Sequence, residues 1–90
     1  MIRLIVCYDI SDDERRNNVA KVLGEFGDRI QYSVFSCDVA NEYPIRTRLK
    51  AVIDPSVDSI LIVNLGCGYA RRTFWLGQRR IVTTERDLIF

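Results

Sequence analysis

Residues 2–39 read IRLIVCYDISDDERRNNVAKVLGEFGDRIQYSVFSCDV, and this stretch decides the fold. Residues 2–8 are almost continuously apolar with β-branched members, the pattern of a central strand buried on both faces. Asp9 ends it. Ser11-Asp12-Asp13-Glu14 then fits a capping box, with the Ser11 hydroxyl on the amide of residue 14 and Glu14 reaching back. Asp12 and Asp13 suit the positive end of a helix. Val19, Val22, Leu23 and Phe26 recur at i, i+3, i+4 and i+7, so the helix turns an apolar stripe toward a sheet, and Gly27 is its natural stop. Residues 29–39 are rich in β-branched and aromatic side chains. As a strand they place Ile30, Tyr32 and Val34 on one face and Gln31, Ser33 and Phe35 on the other.

Further along, Asn41 and Pro44 open a second helix. Ile45, Leu49, Val52 and Ile53 make its buried stripe, Arg46 and Lys50 its outer side, and Asp54-Pro55-Ser56 its end. Residues 57–65 read as another buried strand, and Gly66 and Gly68 flank Cys67 in a turn. Two short strand-like pieces follow, one near Thr73–Leu76 and one at Ile81–Thr84 or Asp87–Phe90. The order predicts an α+β sandwich of the ferredoxin-like βαββαβ kind. That fold asks for two strands between its helices, and residues 28–41 hold either two short ones or one long bent one. After the last core strand come about 25 residues with apolar pieces and no third helix to cover them. They are expected to leave the core of their own monomer and add an extra C-terminal strand to the edge of another subunit. The expected layout is a single domain, with residues 1–78 as the ferredoxin-like body and residues 79–90 as a strand or tail docking on the partner subunit.

Composition narrows the chemistry. The chain has 90 residues, 48% of them hydrophobic. A chain this short buries only roughly 60–65% of its unfolded surface, so homodimerisation is a natural remedy for a thin stability margin. Its three cysteines, Cys7, Cys37 and Cys67, have no CxxC spacing and read as buried free thiols of a reducing, cytoplasmic compartment. The N-terminal apolar stretch is too short for a signal segment or a membrane span. There is no histidine, which excludes Ser-His-Asp and Cys-His catalysis and His-ligated zinc. Catalysis is left to carboxylates, arginines, hydroxyls or an oxygen-held metal.

The formal charge of +1 hides a division. Residues 1–58 hold 8 basic and 10 acidic side chains, whereas residues 59–90 hold 5 basic and 2 acidic ones. Eleven of the 13 basic residues are arginine, the better fork for phosphate and for interfacial carboxylates.

Tyr8-Asp9 is the most informative pair. A carboxylate at the end of a buried strand either caps the helix, pairs with an arginine, or ligates a hard cation such as Mg²⁺. One Asp per chain is a poor metal site, but a two-fold dimer faces two Asp9 copies across its axis. Arg15 and Arg16 oppose the dipole of the first helical turn and need a partner, either Asp9 or phosphate. Arg29 starts the next strand near the same edge. Phe35 reads as a dimer contact, a core residue or a base-stacking ring. Ser33 is a weaker candidate for a phosphate contact. Residues 69–80, YARRTFWLGQRR, interleave arginine pairs with aromatics. Arg71, Arg72, Arg79 and Arg80, with Arg15, are therefore candidates to contact nucleic acid or a partner protein.

YDI, then SDDERRNNVAKVLGEFGDRIQYSVFSCDV, then a helix and DPSVDSILIVNLG, together resemble the second CRISPR-associated protein family, Cas-two, over roughly residues 2–66. The resemblance implies a ferredoxin-like homodimer. It implies a metal-dependent endonuclease, with Mg²⁺ or Mn²⁺, on single-stranded RNA or duplex DNA. It also implies a partnership with dimers of the CRISPR integrase, the first Cas protein, in acquiring spacer DNA for antiviral defence. Asp9 matches the family's metal-binding aspartate, and Tyr8, Arg16, Arg29 and Phe35 match its other residues tied to nuclease activity. The chain departs from the pattern at Asn18, where many members carry an arginine before the helix's first core valine. The alternative function is a non-catalytic dimeric scaffold that bridges integrase dimers and binds duplex DNA. A small-molecule regulatory domain finds no glycine-rich anion loop to support it.

Overall fold

The computed structural model describes residues 1–66 and 72–80. Its elements run β1 (Ile2–Asp9), α1 (Asp13–Gly24), β2 (Gly27–Gln31), β3 (Val34–Val39), α2 (Tyr43–Lys50), β4 (Ser59–Asn64) and β5 (Arg72–Gly77). The strands form one antiparallel sheet in the order β2-β3-β1-β4-β5. The first four strands and two helices are the expected ferredoxin-like α+β arrangement, with β5 added beside β4.

Successive strand residues point to opposite faces. Leu4, Val6 and Tyr8 of β1 share the helix-covered face with Phe35, Cys37 and Val39 of β3, Ile60 and Ile62 of β4, and Leu76 of β5. Val19, Val22 and Leu23 of α1 and Ile45 and Leu49 of α2 close the core from above. Each fully buried side chain of this kind stabilises the fold by about 1.5–3 kcal/mol relative to exposure. The odd-numbered residues of β1, namely Arg3, Ile5, Cys7 and Asp9, lie on the other face with Ser59, Leu61 and Val63 of β4.

Four local expectations are corrected. Helix α1 is capped by Asp12, whose carboxylate accepts the Arg15 amide at 2.9 Å, rather than by a Ser11–Glu14 box. It ends at Gly24, not at Gly27. Gly27 instead begins β2, where a Cβ would stand 2.0 Å from the Ser36 carbonyl oxygen. Gly27→Ala is therefore expected to destabilise the fold by at least ~1–3 kcal/mol, since backbone must move to admit the methyl; urea unfolding checks it.

The ambiguity between the helices resolves as two strands joined by a two-residue turn at Tyr32 and Ser33. Ser33 adopts φ +64°, and β2 carries a register shift between Arg29 and Gln31. The turn breaks the face alternation expected of one long strand.

The piece near Thr73–Leu76 does not leave its monomer. It is β5, paired with β4 of the same chain from Asn64↔Arg72 to Ser59↔Gly77. Residues 81–90, with the second strand-like piece expected there, lie outside the described residues, as do Cys67 and Arg71. Cys7 and Cys37 are buried free thiols. Desolvation, with the nearby charges of Asp38 and Asp28, pushes the Cys37 thiol up to about 11, so it stays protonated at neutral pH. Among the described residues, no helix is long and apolar enough to cross a membrane.

Candidate nucleic-acid and metal site at the end of β1

The carboxyl end of β1, the N-terminus of α1, the β2–β3 turn and the end of β5 converge at one end of the sheet. The Tyr8 amide donates to the Ser33 carbonyl at 3.0 Å, which ties the hairpin tip to the strand that carries the Tyr8-Asp9 pair. The sequence-predicted residues separate there into two groups.

Tyr8, Arg29 and Phe35 come together on the helix-covered side. The Tyr8 and Phe35 rings stack with centroids 6.3 Å apart and 29° between planes. The Arg29 guanidinium lies 5.3 Å from the Phe35 centroid, and its Nη2 donates to the Tyr8 hydroxyl at 3.5 Å. Phe35 is only 5% exposed, so its ring is a floor under Arg29 rather than a surface on which a base stacks. Of the readings open for Phe35, the core placement is the one realised.

Arg16 folds back over the helix start. Its Nη1 donates to the Ile10 carbonyl at 3.1 Å, and its Nη2 to Asp13. The bond to Asp13 holds its pKa above the ordinary arginine value, and the phenols of Tyr32 and Tyr8 act in the same direction.

Asp9 stands on the opposite face, with its side chain 58% exposed. Arg80 grips it: Nε donates to the carboxylate at 3.1 Å and Nη2 to the Asp9 carbonyl at 2.8 Å, while Nη1 reaches the Val57 carbonyl. Among the alternatives for Asp9, an arginine partner is realised within the chain, and it is Arg80 rather than Arg15 or Arg16.

Arg15 is engaged by a residue that sequence reasoning missed. Its Nε and Nη2 donate to Asp58 at 2.8 and 3.3 Å. The Asp58 side chain is 1% exposed and also accepts the Asp54 amide at 2.8 Å, while its carbonyl accepts the Gln78 amide at 2.8 Å. Asp58 thus fastens α1, the turn before β4 and the end of β5 at one point, and this sets Arg80 beside Asp9. Gly77 permits the approach: at φ +76°, a Cβ there would meet the Asp58 carbonyl oxygen at 2.1 Å. The only signal in the sequence was that Arg15 lacked a partner.

The basic aromatic stretch divides between the two ends of the sheet. Arg72 is exposed opposite Asn64, at the end away from Asp9, whereas Arg79 and Arg80 lie at the Asp9 end. The Arg79 guanidinium sits 5.8 Å from the Trp75 ring centroid.

Most of the chain matches a known family. The family model described as CRISPR associated protein Cas2 matches residues 1–73. The chain belongs to the Cas2 family. It is 41% identical over 75 residues to a CRISPR-associated endoribonuclease Cas2 of Chloroflexus aurantiacus, covering 81% of each chain. It is 30% identical over 94 residues to a CRISPR-associated endonuclease Cas2 of Halalkalibacterium halodurans, covering 97% of this chain and 98% of that one. The crystal structure of Streptococcus pyogenes Cas2 at pH 6.5 superposes with a TM-score of 0.66 at 34% identity, over 73% of this chain and 88% of that one. The fold read here from periodicity is thus the Cas2 fold, and the YDI and RIQYSVF segments fall within the matched residues.

Proposed function

We propose that this Cas2-family chain is a homodimeric, divalent-metal-dependent endonuclease that cleaves phosphodiester bonds of single-stranded RNA or duplex DNA in CRISPR adaptation. The observation that carries the reading is the placement of Asp9: exposed, at the end of a buried strand, on the sheet face the helices leave uncovered.

Among the described residues, no three His, Cys, Asp or Glu side chains cluster as a metal site. In this reading each protomer offers the Asp9 carboxylate, and Mg²⁺ is usually held by one or two protein carboxylates. Asp9 shares its face with the partly buried Ile5 and Val63 and the buried Cys7 and Leu61, and is itself the exposed group at the end of that face. Two-fold pairing of two copies through this end of the sheet would supply the second Asp9. A bound divalent ion, Mg²⁺ or Mn²⁺, stabilises charge on the phosphoryl oxygens and acidifies water. In this reading, Arg29, held by Tyr8 and Phe35, and Arg16 neutralise substrate phosphates. The test is cleavage of single-stranded RNA and duplex DNA side by side, with and without Mg²⁺. Metal-independent cleavage, or none on either substrate, refutes the reading.

Because Arg80 pairs with the proposed ligand, metal binding has to displace it. An exposed ion pair of this kind contributes at most about 1 kcal/mol. Arg80→Ala is therefore expected to tighten Mn²⁺ binding by up to about 5-fold in calorimetric titration, and unchanged or weaker binding counts against Asp9 as the ligand.

The single carboxylate per chain favours one second reading: a non-catalytic dimer that bridges CRISPR integrase dimers on duplex DNA. Arg72, Arg79 and Arg80, with Arg71, would supply the contacts. Spacer acquisition that survives loss of the Asp9 carboxylate supports this scaffold.

A further inference from the structure

Among the described residues, Tyr32 is the most exposed aromatic side chain at the Asp9 end of the sheet, 75% accessible at the tip of the β2–β3 hairpin. Its neighbour Ile30, at the register shift in β2, is 52% exposed. Leaving these side chains in water forgoes hydrophobic stabilisation, and the turn that does so is itself costly. Ser33 sits in the left-handed region without being glycine, at about 1–2 kcal/mol for a residue with a Cβ. Its carbonyl is fixed by the Tyr8 amide, so the position of Tyr32 is set from β1, the strand that carries Asp9. Two arginines lie at the same end of the sheet. Arg29, three residues before Tyr32 in β2, donates to the Tyr8 hydroxyl at 3.5 Å, and Arg16 donates to the Ile10 carbonyl at 3.1 Å just beyond β1.

We propose that Tyr32 is a stacking platform for an unpaired base of a single-stranded nucleic acid whose phosphates lie on Arg16 and Arg29. An outward aromatic ring beside guanidinium groups is the arrangement that holds single strands, because every base has a π-face and every nucleotide a phosphate. The inference takes its ligand class from the proposed nuclease reading, and it gives that site its substrate-positioning surface. The ring contacts substrate directly, whereas buried Tyr8 and Phe35 act through Arg29.

The test is fluorescence anisotropy of a labelled single-stranded RNA oligonucleotide, titrated with the full-length chain in Ca²⁺ so that binding is read apart from cleavage. Tyr32→Ala is expected to weaken binding by ~5- to 100-fold, the range of one base–aromatic stack. Tyr32→Phe and Tyr32→Trp keep the ring and are expected to stay within about 2-fold of the parent. A blunt duplex, with no unpaired base, is expected to be indifferent to all three. Parental binding by Tyr32→Ala overturns the proposal. So does equal weakening in Tyr32→Phe, equal loss on the duplex, or a parent that binds no single strand. Equal loss on the duplex would instead mark Tyr32 as a structural residue or a protein-contact residue. Failure of the nuclease reading shows separately, as intact binding without any metal-dependent cleavage.

Discussion

Asp9→Asn is expected to lower metal-dependent phosphodiester cleavage by at least ~100-fold while leaving the dimer and its melting temperature almost unchanged. A bound divalent ion contributes several kcal/mol of transition-state charge stabilisation, and each 1.36 kcal/mol is tenfold in rate. With no histidine in the chain, no imidazole substitutes as general base. The amide keeps the size of the carboxylate and can still accept from Arg80, so the contact that seats the end of β5 survives. Asp9 is exposed, and substitutions at such positions stay within about 0.5 kcal/mol, or roughly 2–4 °C for a domain of this size. The measurement is single-turnover cleavage at saturating Mn²⁺, with light scattering and a thermal melt on the same preparation. Cleavage at the parental rate from an intact Asp9→Asn dimer removes Asp9 from the chemistry. If the parent is inactive and both proteins hold duplex DNA equally, the scaffold reading stands instead.

What could be read in advance follows the range of the interactions. Strand β1 and helix α1 announce themselves because apolar continuity and a 3.6-residue stripe are local patterns that one buried face imposes. The cap was misplaced because Ser11 and Asp12 are both good capping residues, and tertiary geometry chooses between them. The β2–β3 turn was hidden because it uses Tyr32 and Ser33 where such turns usually announce themselves with Asn or Gly. Missing it shifted the expected faces, so the burial of Phe35 could only be one alternative among three.

The two halves of the site differ for the same reason. Tyr8, Asp9, Arg16 and Arg29 were legible as candidates because polar groups at the end of an apolar strand need partners. Who meets whom was not. Arg80 reaches Asp9 across 71 positions, and Arg15 reaches Asp58 across 43, and neither spacing has a periodicity to betray it. Strand β5 was visible as a piece, but its neighbour in the sheet depends on which edge is free once β4 is in place.

The largest effect on stability is expected at the Arg15–Asp58 pair. Breaking a buried ion pair by removing one partner costs about 3–5 kcal/mol, because the other charge is left without compensation. The two single variants should differ. Arg15→Ala strands a carboxylate whose side chain is 1% exposed, with the Asp54 amide as its remaining donor, so it belongs at the upper end. Asp58→Ala strands a guanidinium that is 30% exposed and reaches water, so it belongs nearer ~3 kcal/mol, although it also orphans the Asp54 amide. At 4–8 °C per kcal/mol for a domain of this size, both variants should melt roughly 12–40 °C lower. Replacing both residues by apolar ones of similar volume should recover much of the loss. Melting curves of the two single variants and the double variant read these outcomes. If both single variants melt within about 4 °C of the parent, Asp58 is not the fastening point, and Arg80 owes its place beside Asp9 to something else.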